Sequence, residues 1–529
     1  MSTPAALGSS TSTVAELLTA LANVDDRGVF HEGGFLPYSQ HLLLARRRGA
    51  QLRAALGDTP TPHVGVLLDN VVEFSILVAA AALDQLVLVG LNTTRRGSAL
   101  AADIARADCQ FVLVDERTAG LLDGVEVGVP VYHVSRFTAA DDGRRADAPV
   151  VGPATRPARP EDLLMLIFTS GTTGDPKAVC CTQRTFAAAG VMLSERFCIG
   201  PEDVVYLSMP MFHSNAMIAG WSVALAGGAS IVLRRRFSAR GFVADVKRYG
   251  VTYANYVGKP LHYVLATDES EDDASTRLRI VYGNEAPAAD RERFAARFGC
   301  RVIDGFGSTE GGVAITRTPD TPPDALGPLQ SPTSIVHPET GEPTPVGEVG
   351  EIINSSGPGL FSGYYRDPDA TAERMRDGVY HTGDLGWVDD DGYIHFAGRL
   401  GDWLRVDGEN LGTAPIEHIL LRHSMIRQVA VYGVPVEIGD EIEAAVVTDG
   451  LDPDSLTEFL SAQPDLGTKQ WPHRIRLVPS LPETATFKTV KRHLRTAAEP
   501  PTWLRIDGRY QPPNRSHDGA ARDPDTARR

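Results

Sequence analysis

The sequence predicts a layered α/β fold: a large N-terminal domain of α/β subdomains with a small β-rich part, then a small C-terminal α+β domain. Three observations predict it. The chain has 529 residues, more than one hydrophobic core organises, so two or more domains are expected. Short apolar runs of strand length alternate with helix-like runs through the N-terminal half, the pattern of parallel strands joined by helices. The pattern then changes twice, to short strands and turns from about Gly347 and to a smaller α/β unit after Arg399.

Taken in order, "HVGVLLDN" (63–70) is a short apolar run ending in a turn, and "VEFSILVAAAAL" after it is helical in composition. "QLVLVGLN" and "CQFVLVDE" are further buried strands, separated by the helix-like "SALAADIARA". A Pro/Asp/Arg-rich linker at 139–160 precedes "LIFTSGTTGDPKAV" (166–179), an apolar strand running into small polar residues. Strands resume around 204–207, 230–233, 251–256 and 279–282. In "WVDDDGYIHFAG" the Asp391-Gly392 pair reads as a hairpin turn. Beyond Arg399, "HILLRHSMIRQVAVYGVP", "EIEAAVVT" and a last helix near 489–498 build the small domain. The end of the chain, from Pro512 above all, is nearly free of apolar residues and reads as disordered. The expected division is 1–399, 400–505 and a tail at 506–529.

Composition narrows the function. Apolar residues make up 43% and charged residues 22%, ordinary for a soluble globular protein. A net charge of −16 argues against nucleic-acid binding and means an anionic substrate needs local positive charge. The five cysteines lack metal spacing, and an odd number suits a reducing compartment. The N-terminus has no signal-peptide pattern, and the most apolar stretch, 74–91, is interrupted by Asp84 and Gln85, so it reads as helix, turn and strand rather than a membrane span. A cytoplasmic protein with no integral membrane segment is expected. No period of 20–50 residues repeats.

Four segments carry chemistry. Thr169, Ser170, Gly171, Thr172, Thr173 and Gly174 form a run of small residues followed by Lys177. Glycines let backbone N–H groups converge, hydroxyls add donors and the lysine adds charge, so a polyphosphate is the natural guest. The spacing is not that of a Walker A loop, and Pro176 stands where that motif needs its second glycine. A solvated turn is the competing reading. In "DGFGSTEGG" (304–312) Glu310 occupies the third glycine position of a dinucleotide loop. A bare carboxylate about 5 Å from a phosphate charge costs roughly 3 kcal/mol at an effective dielectric near 20, whereas Mg²⁺ between them reverses the sign. In "YHTGDLGWV" Asp384 sits in a turn, and a carboxylate suits the paired hydroxyls of a ribose; an Asx-turn is the bland alternative. Arg399 ends the hairpin that follows. In "LPETATFKTVKRHLR", Thr486 reads as the N-cap of a helix starting near Phe487, which puts Lys488 in the first turn, where the helix dipole mildly disfavours a cation. Lys491, Arg492 and Arg495 read as a solvated face.

Order and separation join these segments. The sequence resembles the adenylate-forming, AMP-binding enzymes over nearly its whole length. "TSGTTGDPKAV" is similar to their phosphate loop, "GFGSTE" to their aromatic-Gly-x-Thr-Glu motif, "YHTGDLGWVDDDGYIHFAGR" to their ribose and hinge segment, and "LPETATFKTVKR" to their catalytic-lysine motif. Within that superfamily, "GRLGDWLRVDGEN", "TATFKTVKR" and "NYVGKPLHYVL" (255–265) resemble the fatty-acid-transport-protein and bacterial acyl-CoA synthetase branch.

The resemblance implies an acyl-CoA ligase. ATP, Mg²⁺ and a small-molecule acid form an acyl-adenylate, and coenzyme A then takes the acyl group. It implies that Thr169–Gly174 and Lys177 hold the β- and γ-phosphates, that Thr309 contacts the α-phosphate and that Glu310 holds Mg²⁺. Phe306, with Gly307 and Ser308, and the backbone of Asn284, Glu285 and Ala286 would hold adenine, and Asp384 and Arg399 the ribose. Lys488 would bridge carboxylate and α-phosphate. His213 would flank the acyl pocket with Asn215, Tyr256 and Gly258. The small C-terminal domain would be mobile, pivoting at Gly401 or Asp402 so that Lys488 leaves before the thiol attacks. Ala178 replaces the family's usual glycine after the lysine, Gly401 its usual hinge residue, and Glu409-Asn410 an arginine that assists CoA in many members.

Other readings share or fail these motifs. A separate carrier protein could replace CoA as acceptor, and another oxyanion such as nitrite, used to diazotise an aryl amine, could replace the carboxylate. A homodimer is compatible with the sequence. A non-catalytic nucleotide-binding protein is disfavoured by Lys488, Glu310 and Asp384 occurring together. A dehydrogenase is disfavoured because no dinucleotide fingerprint follows a strand.

Overall fold

The computed structural model describes residues 11–138, 156–169, 176–400, 404–406, 409–436, 440–463, 466–483, 489–497 and 499–513. Contacts divide the chain into two compact units: 1–334 with 353–382 and 390–394, and 335–352 with 383–389 and 395–529. Strands Val379–Val388 and Tyr393–Arg399 each run from one unit into the other along the chain, so the units do not follow a single cut after Arg399.

Two sheets lie wholly within the first unit. One has six strands in the order Val131–His133, Phe111–Val114, His63–Leu67, Val87–Gly90, Leu163–Thr169, Lys177–Thr182. All its pairs are parallel except the last, an antiparallel pair that sets Thr169 opposite Lys177. The strands at 63–67, 87–90 and 111–114 are buried along their whole length, which is why they read as unbroken apolar runs rather than alternating ones.

The second sheet has eight strands in the order Ala314–Thr316, Arg301–Gly307, Ile280–Asn284, Tyr253–Val257, Val204–Leu207, Ser230–Leu233, Gly28–His31, Gly34–Pro37. Its six central strands are parallel. One face is packed by Phe242, Phe294 and Phe298, the last two stacked at 4.6 Å. On the other, the Tyr253 hydroxyl donates to the Ala219 carbonyl at 2.8 Å, tying the sheet to a π-helical turn at Met217–Trp221. Gly283 is dictated by close approach, because a Cβ there would strike the Tyr256 carbonyl on the next strand. Strands 253–257, 280–284 and 301–307 run parallel and side by side, so Gly258, Glu285 and Ser308 follow their C-terminal ends. In open α/β sheets that edge is where ligands bind.

The second unit is built on a five-stranded sheet: Ile426–Pro435, Asp440–Thr448, Arg474–Leu477, Trp503–Ile506, Arg509–Gln511. Period-2 alternation covers both faces. Val431, Ile442, Ala444 and Val446 meet helices Thr413–Leu420 and Pro453–Ser461 through Ile416, Leu420, Leu456 and Leu460. Ala430, Tyr432, Ala445 and Val447 face Leu481 and Leu494.

Two expectations need correction here. The last helix spans Lys491–Thr496, with Val490 as its N-cap. Thr489 is not helical because it bridges Glu483, and the Val490 N–H donates to the Pro482 carbonyl at 2.8 Å. The expected tail from 506 begins too early, since 503–506 and 509–511 form a hairpin. Trp503 and Tyr510 anchor that hairpin in the core, the Tyr510 hydroxyl donating to the Pro472 carbonyl at 2.8 Å.

Candidate active site

The three strand ends of the first unit place most of the expected residues. Gly258 follows strand 253–257 at φ +64°, and its N–H donates to the Asn284 carbonyl at 2.8 Å. Glu285, just past strand 280–284, takes φ +67°, rare for a residue with a side chain, and turns the chain so that Ala286 is buried. Phe306 ends strand 301–307 opposite Ile315, half-buried, with Gly307 and Ser308 exposed. Thr309 Oγ1 lies 2.8 Å from Ser214 Oγ. Ser214 opens a short helical turn, Ser214–Ala216, capped by His213. The turn also carries Asn215, whose Nδ2 donates to the Tyr256 carbonyl at 3.2 Å. His213 packs on Phe212, ring centroids 4.5 Å apart. One turn therefore brings His213, Asn215, Tyr256 and Thr309 together.

Beneath strand 301–307 lies a partly buried polar brace that sequence reasoning did not find. The Tyr256 hydroxyl and Arg291 Nη1 (2.6 Å) both donate to the Asp304 carboxylate. Burial pushes the Asp304 carboxyl up from its usual range while Arg291 pulls it back. The brace fixes the residue two positions before Phe306. A lone aspartate before a glycine-rich turn carries no signal of its partners.

Glu310 is buried at 8% exposure, not a solvated turn residue. The Tyr364 hydroxyl donates to its Oε1 at 2.8 Å. Burial, then the neighbouring Glu310, pushes the Tyr364 hydroxyl up, so it stays protonated and remains a donor. Lys177 reaches the same place from the other sheet: its Nζ is 5.3 Å from the Tyr364 ring centroid and 3.5 Å from Glu373. Arg374 interacts with Tyr364 and Glu310 and donates to the carbonyls of His381 (3.3 Å) and Thr382. Lys177, Tyr364, Glu310 and Arg374 thus form a mixed-charge floor, two of whose members lie in "GYYRDPDATAER", a stretch with no motif to expose them.

In the second unit, Arg399 Nε donates to Asp384 Oδ1 at 3.0 Å, and the Gly383 N–H donates to Glu351 at 2.9 Å. Asp384 is buried at 7% exposure, and Arg399 is exposed. Ser170, Gly171, Thr172, Thr173, Gly174, Gly401, Asp402 and Lys488 lie outside the described residues. Thr169 donates to the Lys177 carbonyl at 3.5 Å, closing the two strands that flank the small-residue loop. Lys491 is not on a solvated face: its Nζ meets Thr413 Oγ1 at 2.9 Å and Glu417 at 2.8 Å.

Comparison with known proteins identifies the family. The AMP-binding enzyme model matches residues 18–365, and the AMP-binding enzyme C-terminal domain model matches residues 415–488. The chain is 54% identical over 486 residues to the medium/long-chain-fatty-acid–CoA ligase FadD17 of Mycobacterium marinum, covering 91% of this chain and 95% of that protein. It is 41% identical over 471 residues to steroid-22-oyl-CoA synthetase of Rhodococcus jostii, covering 85% and 84%. Among solved structures, ATP-bound MatB from Rhodopseudomonas palustris superposes with a TM-score of 0.80 at 26% identity, covering 91% of this chain and 98% of that one. The chain belongs to the AMP-binding, adenylate-forming enzyme family.

Proposed function

We propose that this protein is an ATP-dependent acid–CoA ligase that activates a hydrophobic carboxylic acid as its acyl-adenylate and passes the acyl group to coenzyme A. The observation that carries the reading is the meeting of Thr309, the His213–Asn215 turn and the Glu310–Tyr364–Lys177 floor at one sheet edge. Relatives named as a fatty-acid–CoA ligase and a steroid-acyl-CoA synthetase support both the thiol acceptor and the apolar acid.

Two anions must meet in the first half-reaction, and the carboxylate must displace pyrophosphate from the α-phosphorus. Preorganised donors and cations lower that barrier most. Lys177, with the loop from Thr169, supplies charge to the outer phosphates, and Thr309, positioned by Ser214, donates to the α-phosphate. Phe306 and the 284–286 backbone receive adenine, and Asp384 with Arg399 the ribose. Lys488 meets the incoming carboxylate. Glu310 would hold a magnesium ion, its carboxylate being positioned by the hydrogen bond that the Tyr364 hydroxyl donates to Oε1. The ion would supply neutralisation of phosphate charge. The five cysteines are all free, which fits the cytoplasm.

The test is a screen for pyrophosphate release across fatty, steroid-side-chain and short acids, with nitrite as a non-carboxylate arm, each with and without CoA. Acid-dependent pyrophosphate with stoichiometric acyl-CoA is expected. Release with nitrite alone, or acyl-adenylate that CoA does not consume, would replace this reading.

A further inference from the structure

Three asparagines, Asn215, Asn255 and Asn284, lie on the Ser214–Ala216 turn and on two neighbouring strands of the eight-stranded sheet. Asn255 and Asn284 stand on adjacent parallel strands, Asn255 opposite Tyr282 and Asn284 opposite Val257. With side chains alternating, both point to the face that carries the π-helical turn. Asn215 comes from the turn that touches Thr309 through Ser214.

The hydrogen bonds fix which way the amides point. Asn215 Nδ2 donates to the Tyr256 carbonyl, so its Oδ1 is the acceptor it turns to Asn255, whose Nδ2 donates to it at 2.7 Å. Asn255 Oδ1 is then left facing the other way, beside Gly220, where a Cβ would come within 3.2 Å of it. Asn255 is 4% exposed, and its Oδ1 and that of Asn284 are both buried with no donor among the described residues. Buried acceptors without partners are costly, and each is satisfied only when something donates to it.

We propose that Asn255 and Asn284 read a hydrogen-bond donor, a hydroxyl, on the acyl substrate close to its carboxylate, so that the preferred acids are hydroxylated near that end rather than plain chains. This rests on the acid–CoA ligase reading. The location follows from connectivity: Thr309 touches Ser214, and Asn215, the next residue, holds Asn255. A donor far along an acyl tail would lie beyond this cluster. Apolar acids would leave both acceptors unmet, or strand a water on them.

The experiment compares kcat/KM for decanoate, 2-hydroxydecanoate, 3-hydroxydecanoate and 10-hydroxydecanoate with the full-length protein, ATP, Mg²⁺ and CoA. One of the two proximal hydroxy acids should exceed decanoate by about tenfold or more, and the terminal one should not. In Asn255→Leu that ratio should fall towards one; being a ratio on one preparation, it is insensitive to the folded fraction. Should that variant be insoluble, Asn284→Ala gives the same readout. Equal or better use of decanoate, preference for 10-hydroxydecanoate only, or a preference surviving both substitutions would overturn the inference while leaving the ligase reading intact. If no acid releases pyrophosphate, the ligase reading fails, and the melting-temperature shifts of the same four acids decide. A larger shift with a proximal hydroxy acid keeps the donor-reading site, and equal shifts remove it.

Discussion

Glu310 shows how a single residue changes meaning between sequence and structure. In the sequence it is a carboxylate where a glycine would suit a nucleotide loop. In the structure it is buried and held by the Tyr364 hydroxyl, with Lys177 Nζ over that ring. A buried carboxylate needs compensation. Tyr364 offers one neutral donor and Arg374 lends positive charge nearby, and under the proposed function a magnesium ion would add to both. Glu310→Gln keeps an acceptor for Tyr364 and should preserve the fold, yet raise the Mg²⁺ concentration for half-maximal adenylation by about tenfold or more. A Mg²⁺ titration of pyrophosphate release measures this, and identical curves would make Glu310 structural. Tyr364→Phe removes only the hydroxyl. A hydrogen bond to a charged group contributes about 1.5–3 kcal/mol, so the variant should show a lower melting temperature and a smaller displacement of the Mg²⁺ curve than Glu310→Gln.

At the scale of elements, the strand ends depend on helices locked behind them, and one such lock titrates. His41, on helix Tyr38–Leu56, and Trp221, at the end of the π-helical turn, both bond Ser75 Oγ on helix Val72–Asp84, each at 2.9 Å. Burial pulls the His41 ring down from 6.5 to about 4. The folded protein therefore keeps this ring neutral, while the unfolded chain protonates it near pH 6.5. Between those values the unfolded state binds more protons, so stability is full above about pH 6.5 and is lost as pH falls towards 4. The His41 contribution amounts to about 2 kcal/mol between pH 7.5 and 5. Urea unfolding followed by tryptophan fluorescence should show His41→Gln less stable than the parent at pH 7.5 but with a shallower acid loss. Parallel acid losses in the two proteins would mean that the ring is not held neutral.

Across the whole molecule, what was legible in the sequence was what is local and periodic. The strands at 63–67, 87–90 and 204–207 announce themselves because a strand buried on both faces is an unbroken apolar run. The Thr309–Glu310 and Asp384 segments announce themselves because they are short and contiguous. Tyr364 does not, since it meets Glu310 from 54 residues away. Nor does the Asn215–Asn255 pair, 40 residues apart and one amide orientation deep. The late start of the last helix was equally hidden, because Thr489 has a bridge partner at Glu483 that no local propensity encodes. The same contrast between local and long-range supplies a test of how the chain divides its chemistry. Under the proposed function, Lys488 serves only the first half-reaction, while Lys491, bonded to Thr413 and Glu417, holds the C-terminal unit's own structure. Lys488→Ala should slow adenylation by about 10²–10³, the usual loss for one preorganised charge-stabilising contact, or roughly 3–4 kcal/mol. Nucleotide affinity should change little, because the phosphate-side and ribose-side residues remain. Thioester formation from a synthetic acyl-adenylate should also be largely spared. Lys491→Ala should instead lower the melting temperature and impair both half-reactions alike. Rapid-quench timing of each half-reaction separates the two patterns. Equal damage to both steps by Lys488→Ala would place that lysine with Lys491 as a structural residue, and undiminished adenylation would remove it from the mechanism.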